Sequence, residues 1–288
     1  LDRVLAGRPV PRERYEEVVR HYDALGGCSP YNRLTIRQAA ALNECLRMSG
    51  RAAPVVAGFR NSPPFVGDIL ASLQERGVKR VLGFVLAAHR CEASWDRYLD
   101  EVETARERLG PDAPEFEYPT PWHDHRLFVE AVAERTREAI GRLASPEDRE
   151  RAHLIFTAHS IPLAMASRSA YVEELNHSAR LVVESLGRTG WTQAFQSRSG
   201  SPREPWLGPQ IGEVLGRLAG GAAVVIPLGF LCDHVEVLYD LDIEAAEIAR
   251  SAGVSMTRAA TVSDHPKFIA MLEAIARAHL TPVSVAAD

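Results

Sequence analysis

The chain has 288 residues, 46% hydrophobic and 25% charged, which is enough apolar material for a sizeable core without disulfide or metal staples. A formal net charge of −5 argues against nucleic acid as the main partner, because phosphate binding needs a basic face. Four cysteines, Cys28, Cys45, Cys91 and Cys232, form no C-x-x-C pair and read as scattered reduced thiols of a cytoplasmic protein. The longest apolar run, about 220–232, is shorter than the roughly 20 residues of a bilayer span, and no signal peptide is expected.

The sequence starts at Leu1 and enters a turn at Arg8-Pro-Val-Pro11. An α/β chain usually opens with a strand, so a first strand is expected upstream of Leu1. Apolar or aromatic residues at 15, 18, 19, 22 and 25 predict a helix, closed by Gly26-Gly27. Ser29-Pro30 opens a turn, and Thr35 is expected to cap a helix running to about Met48. A short strand is expected at 54–58. The apolar run 81–88, followed by His89, suits a parallel strand buried on both faces.

Helical patterns follow at 92–109 and 127–143, and 145–150 reads as a polar loop and lobe boundary. The second half repeats the logic. Strands are expected at 153–157, 191–196 and 222–231, with helices at 171–186, 234–252 and 266–279. Strands alternating with helices indicate an α/β fold with parallel sheets. The run 81–89 echoes 226–234 at an offset of 145 residues, as two similar lobes would. The expected division is a lobe of 1–149, its first strand missing, and a lobe of 150–288, the last helix packing back on the first.

Three segments carry chemistry. In Leu154-Ile-Phe-Thr-Ala-His159-Ser-Ile-Pro162, Pro162 cannot continue a central strand, so His159 sits at the strand's carboxyl end, where open α/β sheets bind ligands. A neutral imidazole there suits a borderline metal such as Fe²⁺; the plainer alternative is a histidine bonded to a loop carbonyl. In 233–247, Glu236, Asp240 and Glu244 recur every four residues, one face of a helix, with no Lys or Arg between 233 and 249. That row could pass a cation inward, or it could be a solvated acidic surface. In the Gly- and Pro-punctuated loop 196–209, Trp206 offers a flat apolar face, and Arg198 and Arg203 could meet carboxylates.

Ala158-His-Ser-Ile-Pro162, the 196–209 loop and Asp233-His-Val-Glu-Val-Leu-Tyr-Asp240 resemble three signature blocks of the ferrochelatases. Gly26-Gly-Cys-Ser-Pro30 resembles a fourth. The resemblance implies two similar Rossmann-like lobes, each a parallel sheet flanked by helices, around a porphyrin cleft. It implies a lyase that inserts Fe²⁺ into coproporphyrin III or protoporphyrin IX in haem biosynthesis. His159 and Glu236 would be the catalytic pair, facing each other across the metal, and Asp240 and Glu244 would extend the metal track. His21, Tyr22, Ser29, His123 and Trp206 would contact the porphyrin, Tyr22 and Ser29 at its propionates.

The sequence also departs from the family's pattern. His21 stands where an Arg is expected, His123 where a Tyr is expected, and Leu5-Ala6 near another expected Arg. Nothing matches the family's opening strand and loop, which end near Gly-Thr-Pro, so no axial ligand is assigned. The carboxyl-terminal cysteine pattern of cluster-containing relatives is absent, so no iron–sulfur cluster is expected. The expected partners are the porphyrin, Fe²⁺ and, transiently, neighbouring haem-pathway enzymes. Two alternatives share the scaffold: a non-catalytic porphyrin- or haem-binding protein, and a chelatase for another tetrapyrrole.

Overall fold

Ala222-Ala-Val-Val-Ile226 is apolar on both faces, and it forms a strand in which every residue is buried. The computed structural model describes residues 12–50, 53–199 and 203–280. Among them, six strands form two parallel sheets. β1 (Arg80–Leu82) pairs with β2 (Glu115–Glu117). β3 (His153–His159), β4 (Trp191–Gln196), β5 (Ala222–Ile226) and β6 (Ser255–Arg258) form a four-stranded sheet in the order β4-β3-β5-β6.

The helices are α1 (Arg12–Ala24), α2 (Tyr31–Met48), α3 (Val66–Glu75), α4 (Arg97–Leu109), α5 (Arg126–Gly141), α6 (Pro146–Arg151) and α7 (Leu163–Ala166). They continue as α8 (Tyr171–Leu186), α9 (Ile211–Arg217), α10 (Val235–Val237), α11 (Ala245–Ser251) and α12 (Pro266–His279). Two π-helical stretches, Glu92–Asp96 and Leu238–Glu244, run directly into α4 and α11.

The period-2 alternation of the strands sorts the core of the larger sheet. Leu154, Phe156, Val224 and Ile226 face α5, α8 and α12, whose Phe128, Leu175, Val182 and Phe268 share one apolar cluster with them. Ile155, Ala194, Ala223 and Val225 face the other way, against α9, Leu241 and α11. Helices therefore cover both faces, as a parallel sheet requires. The chain is thus α/β with parallel sheets flanked by helices, as its alternation predicts. α2 packs against α12, helped by a hydrogen bond from the Gln38 amide to the Ser263 carbonyl (2.8 Å). No described helix is long and apolar enough to cross a membrane.

Several expected boundaries shift. α2 starts at Tyr31, not at Thr35, which lies buried inside the helix. Residues 54–58 form no regular structure and pair with no strand among the described residues. The run 81–88 is a strand only as far as Leu82, and 222–231 only as far as Ile226, after which Pro227 cannot donate to a ladder. Residues 145–150 are no loop: Ser145 Oγ accepts from the Asp148 amide (2.9 Å) and Pro146 takes the first helical position, so α6 forms. β2, β6, α3 and α9 carry weak patterns and went unforeseen. The turn at 8–11 and Leu5-Ala6 lie outside the described residues, as does part of the 196–209 loop.

The loop after β5 passes close behind β3. Gly229 donates its amide to the Thr157 carbonyl (3.0 Å), and a Cβ at 229 would stand 2.6 Å from the Ala158 Cβ and 2.8 Å from its Cα. Gly229→Ala should therefore cost roughly 1–3 kcal/mol by overpacking, read as a lower urea midpoint with unchanged slope. A midpoint equal to wild type would contradict the close approach.

Candidate active site

The carboxyl edge of the larger sheet gathers three strand ends. β3 ends in His159, β4 in Gln196, and the loop after β5 leads to Glu236 at the start of α10. His234 caps that helix through Nδ1, which accepts from the Glu236 amide (3.1 Å). Glu236 thereby stands in a first helical turn, where a negative charge is favoured. Its Oε1 lies 3.8 Å from His159 Nε2. The two side chains keep 48% and 32% of their surface exposed, so the pair is open to solvent.

His159 is held from behind. Its Nδ1 lies 2.5 Å from the Ser160 carbonyl, which fixes the proton on Nδ1 and turns Nε2 toward Glu236. Tyr171 donates to the His159 carbonyl (3.1 Å), and Ser160 Oγ donates to the Leu207 carbonyl (2.8 Å). Backbone bonds of Leu163 to Pro205 (2.9 Å) and of Leu207 to Ile161 (3.0 Å) lay the Trp206 segment alongside Pro162. Desolvation opposes the imidazolium, but Glu236, the Ser160 carbonyl and Asp240 outweigh it and raise the His159 pKa above 6.5. Burial likewise pushes Glu236 up, yet His159, His234 and Arg14 bring it down to about 2. Both shifts favour an imidazolium facing a carboxylate.

The acidic row behaves unevenly. Asp240 is only 8% exposed. It accepts from Ser197 Oγ and, at 3.4 Å, from Gln196 Nε2, which also donates to the Glu236 carbonyl (3.1 Å). Burial raises Asp240 to about 7, against Ser197 and with the help of Glu236 and Glu244. Ser197 makes its bond from a left-handed backbone (φ 59°), an uncommon conformation for a non-glycine residue. The π-helical winding after Val237 carries Asp240 inward while Glu244 stays exposed. The even row expected from α-helical spacing is therefore replaced by one buried and two exposed acids. Asp233 and Asp242 are paired by Arg258 of β6 (3.2 and 2.6 Å), a cation beyond the sequence window that showed none.

The remaining expected contacts divide. His21 stacks on Tyr239, ring centroids 3.7 Å apart and planes 14° apart, so α1 lies over the acidic helix. Burial lowers the His21 pKa, although Glu17 and Glu244 pull the other way. Burial and the Glu236 charge raise the Tyr22 phenol, so Tyr22 shares the site's field. Ser29 Oγ accepts from the Tyr31 amide (3.3 Å). Trp206 is half-buried, its indole N–H without a hydrogen-bond partner among the described residues. Arg198 donates to the Glu204 carbonyl (3.3 Å). His123 lies apart from this group, 3.3 Å from His177 of α8. Sequence reasoning missed Ser197, Tyr171, Ser160, Tyr239 and Arg258 as site residues. Ser160 and Tyr239 lie inside the quoted signature segments, and Ser197 sits beside Gln196 where β4 meets the Gly/Pro-rich loop; Tyr171 and Arg258 had no local signal.

The family model described as Ferrochelatase matches residues 2–280. A coproporphyrin III ferrochelatase of Mycolicibacterium smegmatis is 40% identical over 275 residues, covering 93% of this chain and 80% of the relative. A ferrochelatase of Rhodopirellula baltica is 37% identical over 277 residues, covering 94% and 78%. Among solved structures, SirB from Bacillus subtilis with Fe³⁺ superposes with a TM-score of 0.59 at 16% identity, covering 84% of this chain and 88% of that one. CbiX, the terminal enzyme for siroheme biosynthesis in denitrifying bacteria, gives 0.58 at 15% identity, covering 88% and 94%. These two likenesses concern the fold alone.

The buried Asp240 predicts a pH dependence. Its folded pKa of about 7 lies above the ordinary 3.8, so between these values the folded protein holds a proton that the unfolded chain has released. Its contribution is full below about pH 4, is lost as pH rises to 7, and amounts to a few kcal/mol in order of magnitude. In metal-free protein, Asp240→Asn should narrow the gap between urea midpoints at pH 5 and pH 8. A gap as wide as in wild type would count against the buried, protonated acid.

Proposed function

The chain belongs to the ferrochelatase family, enzymes of metal insertion into porphyrin, and from that membership we propose that it inserts Fe²⁺ into coproporphyrin III, with His159 and Glu236 as the catalytic pair. The observation that carries this reading is the pair itself: an imidazole and a carboxylate 3.8 Å apart at the carboxyl edge of a parallel sheet. The choice of coproporphyrin III over protoporphyrin IX rests on the name of the Mycolicibacterium relative. Such a reaction makes the protein a lyase of haem biosynthesis, and a cytoplasmic site fits its four free thiols.

Insertion removes two pyrrole N–H protons and strips water from Fe²⁺. A metal about 2.1 Å from both His159 Nε2 and Glu236 Oε1 fits a separation of 3.8 Å. Groups stacked on opposite faces of a flat ring lie about 7 Å apart. The pair therefore takes the metal between its members but no macrocycle, and both side chains work from one face of the ring. Fe²⁺ displaces the His159 proton as it binds Nε2, and Glu236 keeps the charge balance. As the metal passes into the ring, neutral His159 accepts one pyrrole proton and Glu236 the other, and both protons then leave to solvent. Glu244 and Asp240 behind Glu236 form the route of supply, Asp240 losing its proton when a cation comes near.

The porphyrin lies between α1, with His21 and Tyr22, and the helix that carries Glu236 and Tyr239. This is the cleft between the 1–149 and 150–288 lobes. α1 buries none of its side chains fully and is the element that gives way as the ring enters. Trp206, beside Pro162, offers the ring an apolar edge.

Anaerobic assays with Fe²⁺ and each porphyrin test the reading. Turnover should be faster with coproporphyrin III, and His159→Ala should lower kcat by at least about 100-fold. Porphyrin binding without turnover would identify a non-catalytic binder instead, and preference for another tetrapyrrole would identify a different chelatase. In metal-free protein, Glu236→Gln should lower the His159 pKa seen by NMR, since the carboxylate is what raises it. An unmoved pKa would break the proposed coupling.

A further inference from the structure

A second group of metal-binding side chains lies on α8, apart from the site described above. His123 and Asp124 sit in the loop before α5, and His177 faces them from the middle of α8. His123 Nε2 and His177 Nδ1 are 3.3 Å apart. Two imidazole nitrogens at about 2.05 Å from one tetrahedral metal stand about 3.3 Å apart. One ligand atom from each of His123, Asp124 and His177 falls within 4.8 Å of the others, and the exposed Asp124 carboxylate can swing the remaining distance.

A second observation points to a ligand. His123 Nδ1 is buried and has no hydrogen-bond partner among the described residues, and it lies 3.8 Å from Glu174 Oε1. The Glu174 side chain is only 4% exposed and is clamped by Arg90 through its amide (2.8 Å) and Nε (2.7 Å). A metal on Nε2 obliges the His123 proton to sit on Nδ1, aimed at that carboxylate. This is the carboxylate–histidine–metal relay that orients ligands in metal sites. The backbone is fixed as well: Ser178 Oγ donates to the His123 carbonyl (2.7 Å) and receives His89 Nε2 at 3.0 Å.

We propose that His123, Asp124 and His177 bind a borderline divalent cation of the Zn²⁺, Co²⁺ or Fe²⁺ class, with Glu174 orienting His123. Two imidazoles and one carboxylate select that class over Mg²⁺ or Ca²⁺, and water completes the coordination. His123 is then a ligand of this second metal and not a porphyrin contact. The ion ties the 118–125 loop to α8, the helix whose Tyr171 also holds the His159 carbonyl. Six residues separate Tyr171 from His177, about 9 Å of helix, so the two sites are distinct.

Co²⁺ is the probe, because its visible spectrum reports coordination. Dialysis of the metal-free whole protein against Co²⁺ should give two bound ions. His177→Ala and Asp124→Asn, both at partly or fully exposed positions, should each weaken one of them by more than the 10–100-fold typical of outer-shell changes, and should remove its absorption bands. His159→Ala should leave these bands intact and lose the other ion. Co²⁺ binding and spectra in His177→Ala and Asp124→Asn that match wild type would overturn the site. So would loss of all Co²⁺ in His159→Ala, because a single metal at the cleft would then account for everything. A hydrogen bond between the two imidazoles, with no metal, predicts the first of these results.

Discussion

Parallel strands bring all their carboxyl ends to one edge, and the meeting of His159 and Glu236 depends on that constraint. β3 lies between β4 and β5, in register through Phe156↔Gln193 and Phe156↔Ile226. That pairing puts His159, Gln196 and the loop to Glu236 side by side although they come from three distant stretches of chain. The sheet is also rigid, because every β5 side chain and five of the seven in β3 are buried. A rigid edge fixes the 3.8 Å separation of a histidine and a carboxylate.

Charge management follows from that placement. Four acids between 233 and 242 would repel one another in a half-buried cleft, and each is handled differently. Arg258 neutralises Asp233 and Asp242 from β6. His159 answers Glu236. Asp240 has no cation and instead takes hydrogen bonds from Ser197 and Gln196, at the cost of a left-handed backbone at Ser197. The result is a group of acids in which Asp240 is held by hydrogen bonds and the others by cations.

The two halves of the chain share a pattern that function has pulled apart. β1 leads through a loop to His89, a π-helical stretch and α4; β5 leads through a loop to His234, a helix start, a π-helical stretch and α11. His89 is buried against Ser178, and burial with the nearby His123 lowers its pKa to about 3. His234 caps the helix that bears Glu236. π-helical turns are rare and recur at functional sites, and here the second carries the buried acid Asp240. In the first, Glu92 lies near Arg97 (3.9 Å) and Arg168 (3.7 Å).

The sequence by itself determined the α/β alternation, the helices of 171–186 and 266–279, the strand of 191–196, and the identity of His159 and Glu236 as residues to watch. These rest on local periodicity and on compact motifs, both of which lie within one window of sequence. Pro227 beside Ile226 was a legible stop for the 222–231 strand that the apolar pattern overrode. The sequence could not determine that Thr35 is buried inside a helix or that Asp240 turns inward. Those outcomes depend on α12 against α2 and on the winding of 238–244. Nor could it show that Arg258 answers acids sixteen and twenty-five residues earlier, or that His123, Asp124 and His177 meet. Side chains separated by fifty residues come together only when β-strand pairing and helix packing close the intervening loops. No periodicity along the chain records that distance.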